Sequence, residues 1–160
     1  AGILHFDHTH ELSHATWRRI LSVNLDGTFF MCQAALPHLL AARGNIVNMS
    51  STAALAGHPW TAAYSASKGG VLALTYTLAI EYCAQGLRAN AVCPGSVQTP
   101  IHSVFKLPAG ADRKLLYRIM PPDGVMRGPE AAAAAVAFLA SEDAAHINGT
   151  EIRVDGGTLS

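Results

Sequence analysis

The stretch Tyr64-Ser-Ala-Ser-Lys68 places a phenol and an ammonium group four residues apart. Residues 69–82, which follow it, carry apolar side chains at helical spacing, which predicts a helix. Side chains four residues apart lie on one face of a helix, so Tyr64 and Lys68 are expected to be neighbours. A lysine cation beside a phenol favours the phenolate and lowers the pKa of the tyrosine. The pair is a candidate proton-transfer device, although its spacing alone also fits a half-buried aromatic residue beside a solvated lysine.

Apolar segments on either side of this helix predict the strands of a parallel sheet. Residues 46–49 and 87–93 are apolar without alternation, as in strands that are covered on both faces. A last strand is predicted over 151–154, after the turn signal Asn148-Gly149. Residues 1–4 are interpreted as the close of another strand and the turn after it. Strands that alternate with helices predict an α/β, doubly wound fold of three layers, α/β/α, in a single domain over residues 1–160.

Capping and breaking residues set the predicted helix ends. Ser13 is expected to cap a helix that runs to Val23, and a second helix should cover 25–42 with a kink or break at Pro37. Gly86 suits a left-handed cap after the tyrosine helix. Pro129 is expected at the first position of a helix that ends near Ser141.

Composition excludes several classes of function. The formal net charge is zero at pH 7, with 50% hydrophobic residues, which argues against nucleic acid or an anionic membrane as the main partner. The three cysteines, Cys32, Cys83 and Cys93, lack CxxC spacing, so neither a disulfide framework nor a zinc site is indicated. Reduced cysteines fit a cytoplasmic protein.

Two further segments each allow two interpretations. His5, His8, His10 and His14 fall within ten residues, which fits a metal site less well than a solvated, pH-sensitive loop. We therefore expect no metal. Residues 100–128 form a long, irregular and apolar segment, which is either a substrate lid or a helical excursion that merely packs.

Several motifs occur in one order along the chain: Ala1-Gly2, Asn24, Ser51, Tyr64-xxx-Lys68, Pro94-Gly95 and Thr99. Taken together, they resemble the short-chain dehydrogenase/reductase family, in particular its 3-oxoacyl reductase-like type. The resemblance runs from Ala1 to Gly157 and implies a Rossmann-like sheet. It also implies an NAD- or NADP-dependent oxidoreductase that interconverts a secondary alcohol and a ketone.

The resemblance assigns catalytic roles to four side chains. Tyr64 would be the general acid/base, and Lys68 would keep the phenol acidic and bind the nicotinamide ribose. Ser51 would hydrogen-bond the substrate carbonyl, so Ser51 and Tyr64 would both contact the substrate. Asn24 would hold a water that links Lys68 to solvent.

The resemblance also implies a set of cofactor-binding residues. Besides Tyr64 and Lys68, they are Ala1, Gly2, Pro94, Gly95, Val97 and Thr99. By themselves, Ser51 could simply open a turn, Pro94-Gly95 is a common turn signal, and Thr99 could cap a helix.

The family's opening strand and its Gly-rich phosphate loop have no counterpart in these residues, so we expect the chain to be the C-terminal part of the fold. Family relatives assemble through the helix after Asn24 and the tyrosine helix, which implies a homotetramer or homodimer. Two alternatives stay open. The chain is an inactive fragment or interaction module of this ancestry, or it belongs to a lyase or epimerase of the same type.

Overall fold

The structure is a computed structural model that describes residues 2–101 and 105–160. Within these residues, three strands, β1 (Asn45–Met49), β2 (Arg88–Pro94) and β3 (Glu151–Val154), form one parallel sheet in that order. The helices α1 to α4 span His14–Leu21, Gly27–Ala42, Ala62–Glu81 and Glu130–Ala140. The three predicted strands are confirmed to within one residue at each end.

Side chains of β2 alternate between two cores, one on each face of the sheet. On one face, Ala89 packs with Ile46 of β1 and Leu78 of α3. On the other face, Val92 packs with Ala132 and Leu139 of α4. Because both faces are covered by helices, β2 is almost fully buried, and the predicted three-layer α/β/α architecture is confirmed.

Most of the predicted caps are present. The Ser13 hydroxyl accepts a hydrogen bond from the backbone N–H of Thr16 at 3.1 Å and caps α1. The tyrosine helix α3 ends at Glu81, earlier than predicted, and a short 3₁₀ turn (Cys83–Gln85) completes the segment before Gly86, whose φ is 87°. Pro129 is the N-cap of α4 rather than its first residue.

The predicted break at Pro37 does not occur, because α2 continues through it. Proline removes one helical hydrogen bond, but tertiary packing can hold a helix together across that gap. Leu36 and Leu39, on either side of Pro37, both pack against the core that contains Cys32 and Leu78. The two halves of α2 are thereby held on the same surface.

A π-helical turn over Ser22–Asp26 joins α1 to α2, where the sequence predicted two separate helices. Single π turns within helices are rare and frequently occur at functional sites. At its centre, Asn24 is 2% exposed. The turn therefore directs a polar side chain into the interior.

The strand end that was predicted for residues 1–4 is absent over Gly2–Leu4, while Ala1 lies outside the described residues. In place of a neighbouring strand, the backbone of Ile3 hydrogen-bonds the side chain of Asn24. Among the described helices, none is long and apolar enough to cross a bilayer.

Candidate active site

A cavity of about 950 Å³ opens at the carboxyl ends of β1 and β2. Ligands bind at this edge in open α/β sheets, because the loops that follow the strands converge there. Most of the predicted site residues line this cavity: Gly2, Ser51, Tyr64, Lys68, Pro94, Gly95, Val97 and Thr99. Asn24 lies behind the wall, and Ala1 lies outside the described residues.

Ser51 follows β1 and combines a structural contact with a place in the cavity. Its hydroxyl accepts a hydrogen bond from the backbone N–H of Ala53 at 3.2 Å and so caps a 3₁₀ turn (Thr52–Ala54). The same hydroxyl lies 3.5 Å from the carbonyl oxygen of Pro94, at the end of β2. Ser51 therefore opens a turn, as the simpler interpretation of the sequence allowed, and it also lines the cavity.

Tyr64 lies half-buried in the first turn of α3 and lines the cavity. Burial raises the pKa of its phenol, and a hydrogen bond with Ser51 partly offsets that increase. The predicted lowering of the Tyr64 pKa is therefore wrong in this structure, since desolvation outweighs the favourable interactions of the phenolate. The phenol is held in its protonated form near neutral pH.

Lys68 is 7% exposed and lies one helical turn beyond Tyr64. Its Nζ donates a hydrogen bond to the carbonyl oxygen of Met49 at 2.8 Å and lies 5.8 Å from the centroid of the Tyr64 ring. Burial lowers the pKa of the ammonium group, and the nearby Cys93 opposes this shift. The predicted neighbourhood of Tyr64 and Lys68 is thus present, with the amine anchored on the end of β1.

The side chain of Asn24 joins three parts of the chain. Its Oδ1 accepts from the N–H of Ile3 at 2.8 Å, and its Nδ2 donates to the carbonyl of Ile3 at 2.9 Å and to the Ser67 hydroxyl at 3.0 Å. Ser67 in turn donates to the carbonyl of Tyr64 at 2.7 Å. Asn24 thus fixes the backbone at both Ile3 and Tyr64, while its predicted hold on a water stays a prediction.

Two glycines allow chain segments to approach each other beside the cavity. A Cβ at Gly95 would lie 2.9 Å from the Cβ of Asp155, closer than side-chain atoms pack. A Cβ at Gly2 would lie 3.4 Å from Asn24 Oδ1 and 3.9 Å from Lys68 Nζ. Glycine at position 95 therefore allows the end of β2 to lie against Asp155, and glycine at position 2 leaves space beside Lys68.

The segment after β2 is tied to the chain that precedes α4. Val97 pairs with Arg127 in an isolated parallel bridge, and the N–H of Gln98 donates to the carbonyl of Arg127 at 2.8 Å. The Thr99 hydroxyl donates to the carbonyl of Val97 at 3.3 Å and so stabilises the turn. Within the described part of 100–128, a 3₁₀ helix covers Arg113–Arg118.

Sequence reasoning missed several residues of the cavity wall. Phe6 lines it and meets Phe105, which belongs to the predicted lid segment 100–128, edge to face with ring centroids 4.9 Å apart. His58 lines it from the loop before α3. The signal for His58 was its place in the loop between Ser51 and Tyr64, since both ends of that loop were already assigned to the site.

The N-terminal histidines do not form one cluster, although the rings of His8 and His10 stack with centroids 5.7 Å apart. His8 Nε2 lies 2.9 Å from the carbonyl oxygen of Ala109, while His5 and His10 pair with neighbouring carboxylates at 3.7 and 3.8 Å. Over residues 2–101 and 105–160, no group of three or more potential metal-ligating side chains is found.

Comparison with protein families adds independent evidence. The model of a family described as enoyl-(acyl carrier protein) reductase matches residues 1–158. The chain is 44% identical over 160 residues to the inactive 2-(S)-hydroxypropyl-CoM dehydrogenase 2 of Xanthobacter autotrophicus. It is also 44% identical over 150 residues to the meso-2,3-butanediol dehydrogenase of Serratia marcescens. These matches cover 98% and 94% of the chain.

The chain belongs to the short-chain dehydrogenase/reductase family. Among solved structures, the 3-ketoacyl-(acyl-carrier-protein) reductase of Brucella melitensis, complexed with NADH, superposes with a TM-score of 0.87 at 32% identity over 99% of the chain. This family member confirms the Rossmann-like fold. The chain spans 70% of the Xanthobacter relative, 58% of the Serratia relative and 64% of the Brucella structure.

Proposed function

We propose that the protein is an NAD(P)-dependent oxidoreductase that interconverts a secondary alcohol and a ketone. The observation that carries this proposal is the placement of Ser51, Tyr64 and Lys68 in one cavity at the carboxyl end of a parallel sheet. The dehydrogenases and reductases among its relatives support it and favour it over a lyase or epimerase.

Each of the three side chains has a role that its surroundings support. In ketone reduction, the protonated phenol of Tyr64 gives its proton to the carbonyl oxygen, and in alcohol oxidation the phenolate takes the hydroxyl proton. The Ser51 hydroxyl hydrogen-bonds the same substrate oxygen while charge develops on it. Lys68 stabilises the phenolate from the next helical turn, and Asn24 keeps the helix in position.

The cavity fits a nicotinamide cofactor. Its volume of about 950 Å³ is at the upper end of the range for ligand pockets. Gly2 and Gly95 leave backbone exposed at the wall, Pro94, Val97 and Thr99 lie along the strand end, and Ala1 would extend this set. When bound, the nicotinamide would supply or accept the hydride. Structural relatives in complexes with NADH and with NADP support this assignment.

We also propose that residues 100–128 serve as the substrate lid. In its described part, the segment contributes apolar side chains to the cavity: Ile101, Phe105, Ile119, Met120 and Met126. Contacts with the N-terminal segment, between Phe6 and Phe105 and between His8 and Ala109, hold it over the opening. Such a lining favours a substrate with an apolar body.

Assembly and location complete the proposal. Exposed apolar side chains on α2 and α3, among them Phe30, Met31 and Ile80, support a homotetramer or homodimer that forms through these helices. Free cysteines at positions 32, 83 and 93 support a cytoplasmic location.

Cofactor titration followed by turnover tests the proposal. Saturable binding of NADH or NADPH, together with loss of reduced-nicotinamide absorbance when a ketone is added, is the expected result. A second candidate is a nucleotide-binding protein without turnover, which is favoured by the relative that is named inactive. Binding without turnover over a panel of ketones and alcohols would support that candidate, and absence of binding would contradict both.

A further inference from the structure

His58 lines the cavity but has no role in the proton transfer described above. It lies in the loop between the 3₁₀ turn (Thr52–Ala54) and α3, seven residues after Ser51 and six residues before Tyr64. Its side chain also borders a neighbouring pocket of about 460 Å³. His58 thus lines both the cavity that holds Ser51 and Tyr64 and the pocket next to it.

The backbone of this loop is held in a defined conformation. Pro59 restricts the preceding residue, His58, to extended backbone angles. The His58 carbonyl accepts a hydrogen bond from the Thr61 hydroxyl at 3.1 Å. Trp60 has a φ of 63°, which is uncommon for a bulky residue, and its carbonyl accepts from the N–H of Asp7 at 2.9 Å. Strained backbone of this kind persists where the surroundings over-determine it, and it clusters at ligand sites.

One nitrogen of the His58 ring is fixed and the other is accessible. Nε2 lies 3.1 Å from the hydroxyl oxygen of Thr52, a residue with no exposed surface. Within the described part of the chain, Nδ1 has no hydrogen-bond partner, yet it is not among the buried unpaired atoms, so it keeps some accessible surface in a residue that lines the cavity. Whichever tautomer the Thr52 contact selects, Nδ1 offers either a donor or an acceptor.

Thr52 follows Ser51 directly, and consecutive Cα atoms are about 3.8 Å apart. His58, which Thr52 holds, lines the same cavity as Ser51 and Tyr64. Burial lowers the pKa of His58 to about 4, so the ring is neutral at physiological pH. A neutral imidazole in an apolar cavity suits an uncharged oxygen rather than an anion.

We propose that His58 Nδ1 hydrogen-bonds a second oxygen of the substrate, a hydroxyl or carbonyl a few bonds from the reacting carbon. The preferred substrates are then diols, hydroxyketones and dicarbonyl compounds rather than simple alcohols and ketones. This inference rests on the proposed function, because the reacting oxygen is the one that Ser51 and Tyr64 hold.

A comparison of diol and simple alcohol substrates tests the inference, with the full-length protein as the enzyme. We measure kcat/KM for 2,3-butanediol, 1,3-butanediol and 2-butanol and compare the diol-to-alcohol ratios. His58→Leu should lower the ratio for the better diol about three- to tenfold, the effect of one neutral hydrogen bond. His58→Asn, which keeps a polar atom near the position of Nδ1, should retain most of the ratio. An unchanged ratio in His58→Leu would overturn the inference.

Two controls separate this result from general effects. His146 is exposed and does not line the cavity, so His146→Leu should leave both activity and ratio unchanged. NMR of the ¹⁵N-labelled histidines provides a readout without turnover, with the His58 signals assigned by their loss in His58→Asn. Addition of the diol should shift the His58 Nδ1 resonance, and an equal concentration of 2-butanol should shift it less. Equal shifts would contradict the inference, whereas a diol-specific shift in a protein without turnover would contradict only the proposed reaction.

Discussion

At the scale of single residues, burial favours the uncharged forms of both Tyr64 and Lys68. It raises the pKa of the phenol and lowers the pKa of the ammonium group. A phenol that keeps its proton at neutral pH is ready to act as the acid in ketone reduction. The proposed alcohol oxidation needs the phenolate of Tyr64, and this base becomes populated only as the pH rises.

Replacement of Tyr64 by phenylalanine should lower turnover far more than it lowers cofactor affinity. The ring keeps its packing, but the proton donor is lost, and such groups contribute about 10²- to 10⁴-fold to the rate. Steady-state rates and a cofactor titration of the variant check this prediction. Turnover near the wild-type rate would overturn the assignment of Tyr64, and a matched loss of cofactor binding would indicate a structural effect.

The wild-type pH profile should differ between the two reaction directions. Since the Tyr64 pKa is raised, kcat/KM for alcohol oxidation should increase with pH through the alkaline range. Ketone reduction should decline over the same range as the phenol loses its proton. Initial rates in both directions, in buffers of constant ionic strength, give the two profiles. Parallel profiles would exclude a single titrating acid/base.

His58 should make the stability of the protein depend on pH. Its pKa in the folded protein is about 4, below the ordinary value of 6.5 for histidine. Folding therefore favours the neutral ring, and this contribution is complete above pH 6.5 and is lost as the pH falls toward 4. The full contribution of His58 to the free energy of unfolding is on the order of 3 kcal/mol, as calculated from the difference between the two pKa values. Urea unfolding at several pH values should show a smaller acid loss for His58→Asn than for the wild type, and equal losses would contradict the prediction.

At the scale of elements, the site depends on a junction between the π turn and α3. Ser67 has no exposed surface, and its hydroxyl links Asn24 of the π turn to the carbonyl of Tyr64. The position of Tyr64 is therefore coupled to a different segment of chain. Because the same Asn24 also holds Ile3, one side chain aligns three elements at the cavity.

Ser67→Ala should destabilise the protein by about 1–2 kcal/mol, because a buried amide hydrogen loses its acceptor. Thr77→Ala on the same helix is a matched control, since its hydroxyl makes a similar bond to Ala73 at an exposed position. That control should change the free energy of unfolding by less than about 0.5 kcal/mol. Denaturant curves of the two variants give the comparison. Equal losses of stability in the two variants would contradict a specific stabilising role of the junction.

The elements that were predicted from sequence are those whose local pattern agrees with the final packing. The unalternating segments at 46–49 and 87–93 became buried strands because both faces of the sheet are covered. Parallel strands bring their carboxyl ends together, so Ser51 and Pro94 could be placed at one edge before any contact was known. The order of the motifs and the helical spacing of Tyr64 and Lys68 predicted other residues of the cavity wall, but not Phe6 or His58.

The features that the sequence did not predict depend on tertiary contacts. The π turn at Asn24 requires the partners Ile3 and Ser67, and neither is close to Asn24 in sequence. The unusual backbone of Trp60 requires the N–H of Asp7. The direction of the Tyr64 pKa depends on burial, which a local charge pair does not indicate.

At the scale of the whole molecule, α2 and α3 leave a set of large apolar side chains in contact with water. Phe30, Met31 and Ile80 are 61%, 72% and 78% exposed. Scattered exposed apolar residues are common, but several on two helices that pack together support the proposed assembly surface. These helices also carry the site, since Tyr64 and Lys68 lie in α3 and the π turn precedes α2. Association would therefore restrain the elements that hold the proposed catalytic side chains.

Met31→Glu should shift the protein toward smaller species, because it places an unpaired charge in an apolar interface. Ala145→Glu adds the same charge at an exposed turn outside α2 and α3, and it should leave the assembly unchanged. Native mass spectrometry at several protein concentrations distinguishes monomer, dimer and tetramer. A wild-type monomer, or an unchanged oligomer in Met31→Glu, would contradict assembly through this surface. If Met31→Glu is monomeric and also turns over more slowly, while its cofactor affinity is retained, then assembly supports catalysis by restraining α3.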